Sequence, residues 1–245
     1  MRQIVLTVSY DGTHYAGYQI QKNARTIQAV LESTLRRILK EKVRLSAASR
    51  TDAGVHALEH ITAFKSGATI SCVALMRALN SLLPQDIVVR KAAEKPPSFR
   101  VRDAAALKQY RYTIRHHPVR SPFDRFYTTF YPYPLDVAAM RKAARYLVGR
   151  KNFKSFQASD KVERSSVRTI HRLSVRQKSP YLVIDVTGSG FLYKMVRNIV
   201  GTLLEVGRGR RLPEGLPRLV SQKNRTLAGP TAPARGLCLI KVSNA

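Results

Sequence analysis

The apolar spacing of the first ninety residues switches between two periods in a fixed order, and few folds accommodate that order. Ile4, Leu6, Val8 and Tyr10 recur at every second position, the period of a strand with one face turned to a core. Asp11-Gly12 then marks a turn. From Ile27 the steps lengthen: Val30, Leu31, Thr34, Leu35 and Ile38 form the stripe of an amphipathic helix, with Thr26 placed as its N-cap. Val43 to Ala48 reads as a second strand and Ile61 to Phe64 as a third, separated by the polar loop Ser49-Arg50-Thr51-Asp52-Ala53-Gly54. Cys72 to Leu83 returns to the helical period and is closed by Pro84, and Ile87-Val88-Val89 reads as a short strand.

The resulting order, β-α-β-β-α-β, is that of a ferredoxin-like lobe. Pro96-Pro97 marks its end, so residues 1–100 are expected to form one lobe. Residues 101–245 repeat the mixture. Lys108 to Arg115 reads as a strand, Asp136 to Leu147 as a helix, Arg168 to Arg176 and Tyr181 to Thr187 as strands, Phe191 to Val206 as a long helix and Cys238 to Val242 as a terminal strand. The expectation is an α+β protein of two ferredoxin-like, RRM-like lobes whose antiparallel sheets meet at a central basic cleft.

Charge narrows the function. Lys and Arg number 43 against 15 Asp and Glu, a net +28 with a pI near 10.9. Such a surface repels itself, and a polyanionic partner is its physical counterpart. The charge is spread through a chain that is 44% hydrophobic rather than gathered in a tail, which favours nucleic acid over a membrane surface. Residues 141–176 alone carry eleven Lys or Arg against Asp160 and Glu163, and Ser159 to Ser166 is expected as a mobile basic loop around Lys161. No apolar stretch reaches the ~20 residues that span a bilayer, and Met1-Arg2-Gln3 leads straight into a strand rather than a signal-peptide core. Cys72 and Cys238 are far apart with no C-x-x-C, which argues against structural zinc and a disulfide framework and fits a reducing cytoplasm.

Three places carry chemistry. On a helical wheel the apolar residues from Leu192 to Val206 cover most of the surface, leaving Lys194, Arg197, Gly201, Glu205 and Arg208 on a narrow polar stripe that faces either water or a cleft. Gly201 within it points to a close backbone approach. Gly188-Ser189-Gly190 lacks the third glycine of a dinucleotide loop and reads as a tight turn. Asp52 precedes Ala53-Gly54, which by itself is turn chemistry. Beside Arg50, in a chain with so few acids, it is also a carboxylate that a neighbouring cation would hold ionised for nucleophilic or base work. Tyr110 and Tyr112 share the strand face opposite Arg111, placed either to fill a sheet or to stack on a base.

Six segments in order resemble the TruA-type tRNA pseudouridine synthases. They are Tyr10 to Gln21, Arg50-Thr51-Asp52-Ala53-Gly54-Val55-His56-Ala57, Ala78-Leu79-Asn80 with Leu83-Pro84, Lys108 to Tyr112, Phe191 to Thr202, and Ala228 to Ala234 with Gly236-Leu237. The chain departs from the family pattern at Tyr18 (usually Trp), Ser49 (usually Gly) and His60 (commonly Gln). The resemblance implies conversion of uridine in tRNA to its C-glycoside isomer, without cofactor or metal, at positions 38 to 40 of the anticodon stem–loop, by a homodimer. It implies Asp52 as catalytic carboxylate, Arg197 as its cation partner, Tyr110 stacking on the target base, Leu237 supporting that base and Arg50 on the flipped nucleotide's phosphate. The competing reading is a non-catalytic RNA-binding protein or RNA chaperone on the same scaffold.

Overall fold

The computed structural model describes residues 1–101, 106–159 and 165–243, and the chain divides into two compact units. One is Met1–Ala106 with Cys238–Ala245, the other Leu107–Leu237. Asp160, Lys161 and Glu163 of the expected basic loop lie outside the described residues.

The first unit runs β1 (Arg2–Tyr10), α1 (Ile27–Leu39), β2 (Ser46–Ala47), β3 (His56–Ser66), α2 (Cys72–Leu82) and β4 (Ile87–Lys95). β1 is central, antiparallel to β3 with Ile4 opposite Phe64 and to β4 with Tyr10 opposite Ile87. The alternating Ile4, Leu6 and Val8 are fully buried, as are Leu31 and Leu35 of α1 and Leu75 and Leu79 of α2. Each such side chain contributes about 1.5–3 kcal/mol of burial free energy. Both helices begin as their sequences predict, with Thr26 Oγ1 accepting from the Ala29 N–H and Ser71 Oγ from that of Ala74. The second strand is shorter than expected. Val43 and Leu45 do alternate inward, but the Leu45 N–H donates to the Glu32 carboxylate of α1 at 2.8 Å, and only Ser46 and Ala47 join the ladder against β3.

The second unit runs β5 (Leu107–Arg115), β6 (Thr129–Phe130), α3 (Val137–Arg145), β7 (Gly149–Asn152), β8 (Val167–Lys178), β9 (Tyr181–Gly188), α4 (Met195–Gly207) and α5 (Leu216–Ser221). Its sheet has the order β5-β9-β8-β7, antiparallel throughout, with β6 parallel to β5. Met140 and Ala143 of α3, Ile199, Val200 and Leu203 of α4, and Ile114, Ile184 and Val186 of the sheet are all fully buried. The long helix starts a turn later than the wheel predicts. Lys194 has φ 56°, a left-handed conformation, and the Leu192 carbonyl accepts the Met195 N–H, so Phe191 to Lys194 form a turn out of β9.

The last strand, β10 (Leu237–Ser243), differs from the expectation that all of residues 101–245 form the second lobe. From Cys238 it lies with the first unit, parallel to β3, Cys238 opposite His56 and Leu239 opposite Ala57. The reason is an open edge: β2 covers β3 only at Thr62 and Ala63, leaving the other end of that strand to be paired. Among the described residues, no helix is long and apolar enough to cross a membrane.

Candidate active site

Asp52 sits half-buried on the loop between β2 and β3, at the first position of a tight turn in which its carbonyl accepts the Val55 N–H. The turn is held from three directions. Tyr10, at the end of β1, hydrogen-bonds Thr51 Oγ1 through its hydroxyl at 2.7 Å. The segment after β1 supplies the Tyr18 N–H to the Thr51 carbonyl, and the Tyr15 carbonyl to the Gly54 N–H. Gly17, at φ +93°, makes that approach possible, because a Cβ there would stand 2.6 Å from the Thr51 carbonyl oxygen. From β3, His60 Nε2 lies 3.0 Å from the Ser49 carbonyl oxygen. A carbonyl only accepts, so Nε2 carries the proton. His60 is fully buried and stacks on Tyr18 with ring centroids 4.2 Å apart. Tyr18 in turn donates to Thr62 Oγ1 and is kept protonated by burial, which pushes its hydroxyl well above the ordinary tyrosine range. The three departures from the family pattern, Tyr18, Ser49 and His60, thus meet at one place.

Replacing His60 by Leu leaves a buried carbonyl without its donor and is expected to cost about 1–3 kcal/mol of stability. His60→Gln keeps an N–H of similar reach and is expected to recover most of that loss. Thermal denaturation of the two variants checks this, and equal destabilisation by both would remove the hydrogen bond from the account.

Arg197 lies in the first turn of α4, half-buried. Its Nε donates to the Ala232 carbonyl at 2.7 Å, and the Ala232 N–H returns a bond to the Arg197 carbonyl. The segment carrying Ala232 is itself fixed by Asn198. That fully buried side chain donates to the Phe156 carbonyl and accepts from Arg225 and Thr231. Thr202 Oγ1 accepts the Gly229 N–H at 3.0 Å. Tyr110 on β5 is 7% exposed and meets Phe191 edge-on at 5.3 Å, while Tyr112 is buried completely. The Tyr112 hydroxyl hydrogen-bonds Thr129 and donates to the Pro233 carbonyl, and burial pushes it up to about 12. Of the two tyrosines, Tyr112 is therefore a core residue. Nearby on β5, burial and then Arg168 lower the pKa of Lys108. Leu237, 5% exposed, is the first residue of β10. The first unit thus brings Arg50 and Asp52 onto one loop, and the second carries Tyr110, Arg197 and Leu237 on three different elements.

Residues 6–102 and 143–243 match the family model described as tRNA pseudouridine synthase. The chain belongs to the tRNA pseudouridine synthase family. Curated relatives of the same description extend over nearly its whole length. A tRNA pseudouridine synthase A from Geobacter sulfurreducens is 48% identical over 99% of both chains. One from Pelobacter propionicus is 45% identical over 99% of this chain and 100% of its own, and one from Thermoanaerobacter sp. strain X514 is 43% identical over 99% of both. Asp52, Arg197 and Leu237 fall within the matched spans of this pseudouridine synthase, while Tyr110 falls between them. Asn198, Tyr10 and His60 were not singled out as site residues from the sequence. Asn198 has a signal, as an amide in the apolar run of α4; Tyr10 and His60 enter only through the family resemblance, and nothing local to either shows that it bonds the loop at Thr51 or Ser49.

Proposed function

We propose that this synthase isomerises uridine to pseudouridine in the anticodon stem–loop of tRNA, at positions 38 to 40, with Asp52 as the catalytic carboxylate. The observation that carries the reading is its near-full-length similarity to proteins named tRNA pseudouridine synthase A. In this reading the two units are ferredoxin-like lobes facing a central basic cleft, and the enzyme works in the cytoplasm as a homodimer without cofactor or metal. The reaction conserves atoms: the N1–C1′ bond breaks, the base turns, C5 bonds to C1′, and the proton lost from C5 is balanced by one gained at N1. Whether Asp52 attacks C1′ or takes a sugar proton, its oxygen must be ionised and close, which calls for a cation, and Arg197 fills that role. Its planar fork fixes the carboxylate's orientation in a way a lysine would not. Tyr110 stacks on the extruded base, Leu237 supports it from another side, and Arg50 takes the flipped nucleotide's phosphate. Extrusion costs a few kcal/mol, offset by stacking of about 1–3 kcal/mol and by phosphate contacts.

Chemical mapping of pseudouridine in an undermodified tRNA, incubated with the protein and no added cofactor, tests the reading. New pseudouridine is expected in the anticodon arm. Tight RNA binding with no changed uridine would favour the non-catalytic RNA-binding protein instead. In this reading the Tyr110 hydroxyl also helps remove the C5 proton, so Tyr110→Phe, which keeps the stacking ring, is expected to hold tRNA affinity within about threefold while turnover falls by about 10²-fold. Equal losses in both quantities would remove Tyr110 from proton transfer.

A further inference from the structure

Beside the Asp52 loop, within the first unit, lies a cavity of about 630 Å³ lined by Tyr18 to Ile20, by Gln28 and Glu32 of α1, and by Lys42 to Ala47 with Arg50. Its three stretches are tied together. Gln28 Oε1 accepts the Ile20 N–H, and Gln28 Nε2 donates to the Leu45 carbonyl and to Glu32 Oε1. Glu32 Oε1 also accepts the Leu45 N–H. The groove is therefore braced before any ligand arrives.

Its charge is one-sided. Along the extended segment entering β2, Val43 and Leu45 are buried while Lys42, Arg44 and Ser46 are exposed, so alternation anchors both cations on the same side. Arg50, also exposed, lines the same groove. No hydrogen bond or ion pair engages Lys42, Arg44 or Arg50 among the described residues. The carboxylate in the lining, Glu32, is engaged by Gln28 and Leu45. Ile20, 46% exposed, adds an apolar surface suited to a sugar or base face. Two unengaged cations two residues apart, with a third lining the same groove, fit a chain of phosphodiesters better than a single anion.

The geometry points to this groove as the seat of the substrate RNA strand that flanks the target uridine, with successive phosphates on Lys42, Arg44 and Arg50. The inference rests on the function proposed above, since Arg50 adjoins the Asp52 turn. On a chain of net +28 the competing explanation is bulk attraction, which any two cations would supply equally. Binding of undermodified tRNA is therefore measured across a salt series for wild type, for Lys42→Ala/Arg44→Ala, and for Arg90→Ala/Lys91→Ala. The last pair are exposed cations on β4, outside the groove. The groove variant is expected to raise Kd roughly tenfold at low salt and to flatten the slope of log Kd against log salt by roughly 1.5. The β4 variant is expected to stay within about threefold of wild type. Equal weakening by both pairs, or none by the groove pair, overturns the inference. Pseudouridine mapping on the same wild-type samples separates the two readings. A wild type that binds but modifies nothing overturns the proposed reaction, while the difference between the double variants still decides the groove.

Discussion

Asp52→Ala is expected to lower pseudouridine formation by about 10³-fold or more while tRNA affinity stays within about threefold of wild type or tightens. The asymmetry follows from electrostatics. A carboxylate facing a polyanion opposes binding, so removing it relieves repulsion, whereas the reaction needs the ionised oxygen itself. Alanine keeps the hydrogen bonds that Ser49, Thr51, Gly54 and the Asp52 main chain make around the turn, so circular dichroism of the variant is expected to match wild type. Asp52→Asn preserves the shape while removing the charge and exchanging one acceptor oxygen for an N–H donor, and is expected to be as inactive as the alanine variant. Chemical mapping and filter binding on one RNA preparation provide both readouts. A large loss of affinity with substantial residual turnover would move Asp52 from chemistry to binding.

The elements legible in the sequence are those in which period and burial coincide. β1 and α1 were readable because Ile4, Leu6 and Val8, and then Leu31 and Leu35, are buried at the spacing their backbones impose. Where burial and hydrogen bonding part company, the period overstates the strand. Val43 and Leu45 point inward as a strand would, yet the Leu45 N–H is taken by Glu32. The two-residue β6 and the polar β7, Gly149–Asn152, carry no periodicity to detect. That β10 joins β3 is a matter of topology, decided by which edge is open, and its own seven residues do not encode it. The candidate site divides in the same way. Asp52 and Arg50 stand out as a motif in a chain poor in acids. The tyrosine that holds their loop is 41 residues from Thr51, a distance that no local pattern bridges.

Gly201→Ala is expected to be the most destabilising single-methyl change in α4, on the order of 4 kcal/mol, which puts it in the exceptional class of point substitutions. The helical propensity of alanine argues the other way by about 1 kcal/mol, so the sign depends entirely on tertiary contact. A Cβ on Gly201 would stand 1.7 Å from the Pro230 carbonyl oxygen, and one on Gly229 would stand 2.7 Å from the Thr202 nitrogen. Each glycine therefore faces the other element's backbone, and no flexible side chain can yield. Relief requires moving the segment that carries Ala232, whose carbonyl holds the Arg197 side chain. The substitution is thus expected to reduce turnover beyond what its folded fraction accounts for, because it displaces the partner of the cation assigned to Asp52. At about 2–4 °C per kcal/mol for a chain of this size, the melting temperature should fall by roughly 8–16 °C. Ala143 on α3, also fully buried but already a methyl group, provides the comparison: Ala143→Gly is expected to cost about 2 kcal/mol, from helix propensity and the lost burial of one methyl group. A Gly201→Ala protein melting within about 2 °C of wild type would mean that helix propensity, not backbone contact, governs this position.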